Sequence, residues 1–305
     1  MQKLNVTNEF SQLVKVVLGN PHSLGGVPDI NETYDPKSKE HILNGTFPTE
    51  EDVIKEMDTF HDVLIKNKIE VVRPSVIQDY NQIFSRDIAC VIDQKFIIAN
   101  IIEEREREIN AITGVIDNIS EDDIIRAPEG VRFEGGDIMP HNDYLFIGYA
   151  QEPDFTNYKV ARTNRNGVNF FKDLFPEKTI KAFELSKSDT DPRKNALHLD
   201  CCFQPLGLGH AIIHENGFKN NEDFHWLVDL FGKENCLLID ADQMYEMGAN
   251  IFSLAPNHVI SDSSFTQVND FLRQNGYTVS EISYREIAKM EGLLRCSTLP
   301  LLRAI

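Results

Sequence analysis

The chain has 305 residues, of which 41% are hydrophobic and 26% charged, with a formal net charge of -18. That composition is ordinary for a folded soluble protein, and the acidic balance argues against nucleic acid, whose phosphates it would repel. No apolar run approaches the roughly 20 residues of a membrane span, and residues 1–6 lack the apolar core of a secretory signal peptide. The expected location is cytoplasmic, without a membrane partner. Five cysteines, at 90, 201, 202, 236 and 296, form no CxxC pair. Free thiols in a reducing compartment fit this sparse set. His210, His214 and His225 have no convincing ligand spacing, and no metal is expected.

In chain order, a helix is predicted over 50–66 and a strand over 69–73, with an earlier strand over 14–18. A strand pair follows at 88–91 and 96–101, then a charge run, 103–108, that reads as a solvated helix face. The next unit has strands over 137–139 and 144–149, a helix over 168–174 and a strand over 180–185. A third comprises strands at 200–204 and 211–214, a helix over 223–231 and a strand over 237–240. The fourth has strands at 251–254 and 259–261, a helix over 265–274 and a strand over 277–282. A strand around 294–299 joins the N-terminal elements into a fifth unit. Self-similarity at a period of roughly 50 residues, without a long linker, points to units arranged radially around one centre. Residues 1–305 are therefore expected to form a single catalytic domain.

The units open on Ser85-Arg86-Asp87, Phe133-Glu134-Gly135-Gly136-Asp137, His198-Leu199-Asp200, Gly248-Ala249-Asn250 and Arg295-Cys296-Ser297-Thr298. If equivalent strands converge, one pocket receives a thiol, an imidazole and several carboxylates. Cys296 is the candidate nucleophile, because a thiolate attacks carbon when a partner manages its proton. His198 is the candidate acid and base, and Glu134 would orient its ring. Asp87 and Asp200 facing one pocket repel unless a cation lies between them, and a planar guanidinium matches their oxygens. Each residue alone also has a structural reading. Cys296 alone reads as buried filler, Asp87 as the partner of Arg86, and Asp137 as a brace for the tight Gly135-Gly136 turn. Their equivalent placement is what favours the chemical one.

The segments Asn81-Gln82-Ile83-Phe84-Ser85-Arg86-Asp87, Phe133-Glu134-Gly135-Gly136-Asp137, His198-Leu199-Asp200 and Cys296-Ser297-Thr298-Leu299-Pro300 resemble the ordered signature of arginine deiminases and related guanidine-modifying enzymes. Arg162-Thr163-Asn164 is similar to a segment of dimethylarginine dimethylaminohydrolases. The resemblance implies an α/β pentein fold, a five-bladed pseudo-symmetric propeller of ββαβ units. It also implies a covalent thiouronium intermediate on Cys296, acid–base work by Glu134 and His198, and a guanidinium held by Asp87 and Asp200. Asp137 and Asn81 are further substrate-binding candidates. Arg162 is the preferred partner of the substrate carboxylate, with Arg132 and Arg303 behind it.

The expected function is hydrolysis at the guanidinium carbon of arginine or a close derivative, as in arginine deiminases, with a ureido product and no cofactor. Asp200 in the His-Leu-Asp segment favours an unmodified guanidinium. The stretch Glu291-Gly292-Leu293-Leu294-Arg295 departs from the glycine-rich approach to the nucleophile in arginine deiminases. Amidinotransfer from arginine to an amine is the alternative within the superfamily, and a non-catalytic pentein binding protein the alternative outside catalysis. A small guanidino molecule is the expected partner, and a homodimer is compatible with the sequence. The turn-rich segment 20–28 is a candidate lid or an ordinary surface loop.

Overall fold

In the computed structural model, which describes residues 2–304, the strands form five three-stranded sheets of one plan. Each has a central strand paired antiparallel with one neighbour and parallel with another. The parallel partner returns after a helical crossover. The sheets comprise Ala89–Ile92, Lys95–Ile98 and Ile124–Arg126; Ile138–His141, Tyr144–Tyr149 and Thr179–Glu184; and Phe203–Pro205, Ala211–Ile213 and Cys236–Leu238. A fourth comprises Phe252–Ala255, His258–Asp262 and Thr278–Ile282. The fifth is built from both ends of the chain: Leu13–Leu18 pairs antiparallel with Thr298–Arg303 and parallel with Glu70–Val72. This is the five-unit ββαβ architecture expected from the repeat.

Local chemistry explains the helices. The helix Glu50–Lys66 starts at Thr49, whose hydroxyl accepts from the Asp52 amide at 3.2 Å. Three acidic residues occupy its first turn and Lys66 its last, complementing the helix dipole. Its buried face, Val53, Met57, Phe60 and Leu64, follows the helical period and packs into the core. In the second unit Asn164 caps the helix Arg165–Leu174 by accepting from the Gly167 amide at 2.9 Å. The same oxygen accepts from the Arg132 amide at 3.2 Å, tying that loop to the helix start. No helix among the described residues is long and apolar enough to cross a membrane.

Three local expectations are corrected. Residues 199–202 form a helical turn, not strand, and the strand begins at Phe203. The last strand is Thr298–Arg303, so Cys296 lies in the turn before it. The run 103–108 is not uniformly solvated: Arg105 and Glu108 are buried, because carboxylates distant in sequence demand a cation there.

Candidate active site

Each unit contributes a polar residue two to five positions ahead of its first strand: Asp87, Glu134, His198, Asn250 and Cys296. All five are buried. Asp87, His198 and Cys296 line one cavity of about 750 Å³, together with Asn81, Arg105 and Arg162. Short helical turns after Glu134 and His198 set the directions of those side chains. Gly135 and Gly136 are needed there. A Cβ on Gly136 would lie 2.6 Å from His198 Nδ1, and one on Gly135 would lie 2.0 Å from the Arg86 carbonyl oxygen.

His198 Nε2 is 2.9 Å from Glu134 Oε2. Its Nδ1 is buried without a hydrogen-bond partner, 3.6 Å from Asp87 Oδ1. Burial opposes the imidazolium, but Asp87, Glu134 and Asp137 outweigh it and raise the His198 pKa above its ordinary value. Glu134 in turn receives two bonds from Arg162 Nη1, at 3.1 and 2.9 Å. Despite complete burial, Arg162 and His198 hold its carboxyl well below the usual range.

Asp87 receives Arg105 Nη1 at 2.6 Å, while Arg105 also clamps Glu108 through bonds of 2.7 and 2.9 Å. The local pairing of Asp87 with Arg86 does not form. Arg86 instead bonds the Arg295 carbonyl oxygen and Thr298 Oγ1, both at 3.2 Å. Asp87, Glu134 and His198 offer ligand atoms within 4.8 Å of one another. That trio has the donor set for a cation, but Arg105 and Arg162 already supply positive charge to its carboxylates.

Cys296 is 3% exposed. Its thiol donates to Asp200 Oδ2 at 3.6 Å and accepts from Asn250 Nδ2 at 3.1 Å. Burial, then the charges of Asp200 and Asp87, push its pKa well above the usual thiol value.

Asp200 is not among the residues lining the cavity. The reason is Arg295, a fully buried guanidinium that bonds Asp200 Oδ2 at 2.7 Å and both Glu9 oxygens at 3.0 and 3.1 Å. Asp137 is also absent from the lining. Its oxygens accept from Thr163 Oγ1 at 2.6 Å and the Leu199 amide at 2.9 Å, bracing the turns after Glu134 and His198. Arg132 is exposed and bonds the Ile101 carbonyl oxygen at 2.5 Å, outside this cavity. Arg303 is buried elsewhere, donating to the Ser11 and Ser253 carbonyl oxygens. Of the arginines singled out from sequence, Arg162 alone lines the cavity, with Nη2 buried and unpartnered. Leu24, Gly25, Gly26 and Pro28 of the turn-rich segment lie at the cavity. Glu50 anchors that segment by accepting from the Ser23 and Leu24 amides at 3.1 and 2.9 Å.

Sequence comparison matches residues 38–303 to a family profile described as "N,N dimethylarginine dimethylhydrolase, eukaryotic". The chain is 26% identical over 297 residues to the uncharacterized protein YkgA of Bacillus subtilis (strain 168), covering 97% of this chain and 94% of that one. It is also 26% identical over 201 residues to an arginine deiminase of Streptococcus agalactiae, covering 56% of this chain. The match spans about half, 47%, of that deiminase. Among solved structures, the amidinotransferase SxtG of Microseira wollei superposes with a TM-score of 0.74 at 17% identity, covering 99% of this chain and 98% of that one. This last likeness is one of fold.

Proposed function

The chain belongs to the eukaryotic N,N-dimethylarginine dimethylhydrolase family, and on that premise we propose that residues 1–305 act as one catalytic unit hydrolysing the guanidinium of arginine or a close derivative such as an N-methylated arginine. The observation that carries this reading is the convergence of four buried side chains, Asp87, Glu134, His198 and Cys296, one from each of four units, in and beside one cavity. The matched arginine deiminase supports the same bond class.

In this mechanism the guanidinium enters beside Asp87 and offsets the negative charges that keep the Cys296 thiol protonated. The thiol proton passes to solvent and sulfur forms a bond to the guanidinium carbon. Breaking one C–N bond then expels ammonia or an alkylamine, protonated by His198 through Nδ1. Glu134, fixed by Arg162, keeps the ring oriented during this transfer. The planar adduct left on sulfur is next attacked by water, whose proton His198 takes. A C–O bond forms, the C–S bond breaks, and a ureido product leaves. The substrate supplies the electrophile, so the chemistry needs no cofactor. Arg162 Nη2, the donor of that guanidinium without a partner, is suited to the substrate carboxylate.

Asp200 no longer argues for an unmethylated substrate, since Arg295 holds its Oδ2. The test is incubation with L-arginine and with Nω,Nω-dimethyl-L-arginine, assaying citrulline, ammonia and dimethylamine. Citrulline from either, abolished in Cys296→Ser, supports the proposal. Ornithine with a new guanidino compound, formed only when an amine acceptor is present, would replace it with amidinotransfer.

A further inference from the structure

Two carboxylate-bearing residues of the cavity, Asp87 and Glu291, each keep one buried oxygen without a hydrogen-bond partner: Asp87 Oδ1 and Glu291 Oε2. The other deeply buried carboxylates here are engaged. Glu134 is held by Arg162 and His198, both oxygens of Glu108 by Arg105, and Asp200 Oδ2 by Arg295 and the thiol. Glu291 is 5% exposed, so Oε2 cannot satisfy itself in bulk water.

Its position is also tightly determined. Glu291 begins the turn leading to Cys296 with a φ of 59°, a conformation that side chains other than glycine adopt at a cost. Gly292 follows, and a Cβ there would lie 2.3 Å from the Phe84 ring. Asn195, three residues ahead of His198, donates to Glu291 Oε1 at 2.7 Å. One oxygen is thereby tied to the histidine segment, and the other receives no donor, with the Asp35 carboxyl close enough to share a proton with the Glu291 side chain.

We propose that Glu291, through Oε2, is the second carboxylate that grips the substrate amidinium, working with Asp87 Oδ1 in the role that the sequence pattern assigned to Asp200. This rests on the guanidinium-directed function above. A guanidinium presents N–H groups along several edges, and acceptors on two separate elements fix both its position and its plane. Burial, then the charge of Asp35 and a side-chain hydrogen bond with it, raise the Glu291 carboxyl well above its ordinary range, while Asn195 and Lys37 act in the opposite sense.

The experiment compares alkylation of Cys296 by chloroacetamidine, an amidinium, with alkylation by neutral chloroacetamide of similar size. In both, an S–C bond forms, the C–Cl bond breaks, chloride leaves and the thiol proton passes to solvent. Their rate ratio reports cation recognition independently of changes in thiol reactivity. Glu291→Gln, which keeps an oxygen for Asn195, should lower the ratio at least about tenfold, as should Asp87→Asn. Glu291→Asp carries the same comparison at a shorter reach, with an intermediate ratio expected; an unchanged ratio in both Glu291 variants overturns the assignment. That result alongside a lowered ratio in Asp87→Asn removes Glu291 alone from the cation site. Equal rates for the two probes in the unaltered protein would instead overturn the guanidinium-directed reading, and this proposal with it.

Discussion

Asn250 brackets Cys296 from two sides: its Nδ2 stands 3.1 Å from the sulfur, and its Oδ1 accepts from the Cys296 amide at 3.1 Å. A donor at the sulfur stabilises the thiolate more than the thiol, because hydrogen bonds to charged groups contribute about 1.5–3 kcal/mol. Asn250→Ala should therefore slow iodoacetamide alkylation of Cys296 by roughly 10- to 100-fold at a fixed pH below the thiol pKa. Alkylation at the rate of the unaltered protein would show that the contact does not activate sulfur.

The pH dependence of that alkylation follows from the upward shift of the thiol. Burial, then Asp200 and Asp87, keep Cys296 protonated past the ordinary thiol value of 9.0. The reactive form therefore grows as pH rises, and the rate should still be climbing at pH 9 without a plateau. Removing a nearby negative charge with Asp87→Asn should move the profile to lower pH. Peptide mass spectrometry separates Cys296 from half-buried Cys236, which burial raises to about 11.

Arg162 and Glu134 form a buried pair that orients His198. Arg162→Met strands the carboxylate, and breaking such a pair from one side costs about 3–5 kcal/mol. Urea unfolding should show that loss. Glu134→Gln strands the Arg162 guanidinium instead and should lose stability on the same scale, and it should turn over about 10²-fold more slowly, because the ring loses its charged anchor. Stability unchanged in both variants would contradict the pairing.

Stability in acid should depend on Glu9. Burial opposes its ionisation, but Arg295 and Arg86 win and lower its pKa from 4.5 to about 2. A carboxyl depressed in the folded state adds stability above its unfolded pKa and loses it as pH falls through the folded one. Unfolding midpoints should therefore decline between about pH 4.5 and 2, and Glu9→Gln should make that decline shallower. Identical slopes for the two proteins would refute the assignment.

The repeat is legible because each unit alternates apolar strands with a turn and a helix, which puts the unit openings in equivalent positions. Cys296, His198, Glu134 and Asp87 stood out there because their side chains titrate or attack. Asn250 opened an equivalent unit, yet an amide carries no charge to mark it as the sulfur's neighbour. Arg105 was hidden inside Glu103-Glu104-Arg105-Glu106-Arg107-Glu108, where alternating charges look like a wet surface. What buries it is Asp87, 18 residues earlier in the chain. The misplacement of Asp200 has the same origin: its partner Arg295 lies 95 residues away, and Arg295 answers to Glu9 across 286. Motifs report what a residue can do, but competition for its oxygens is decided by long-range packing.

The pairing of Leu13–Leu18 with Thr298–Arg303 closes the ring with the two ends of the chain, and Cys296 sits at the edge of that closure. Contacts between such distant segments carry a large loop-closure entropy and tend to form late. During synthesis the segments carrying His198, Glu134 and Asp87 emerge well before Cys296, and the fifth sheet cannot be completed until its last strand has been made. A chain lacking residues 296–303 would lack both the strand that completes the fifth sheet and the Cys296 thiol beside the cavity. The thiol and the closing strand arrive together.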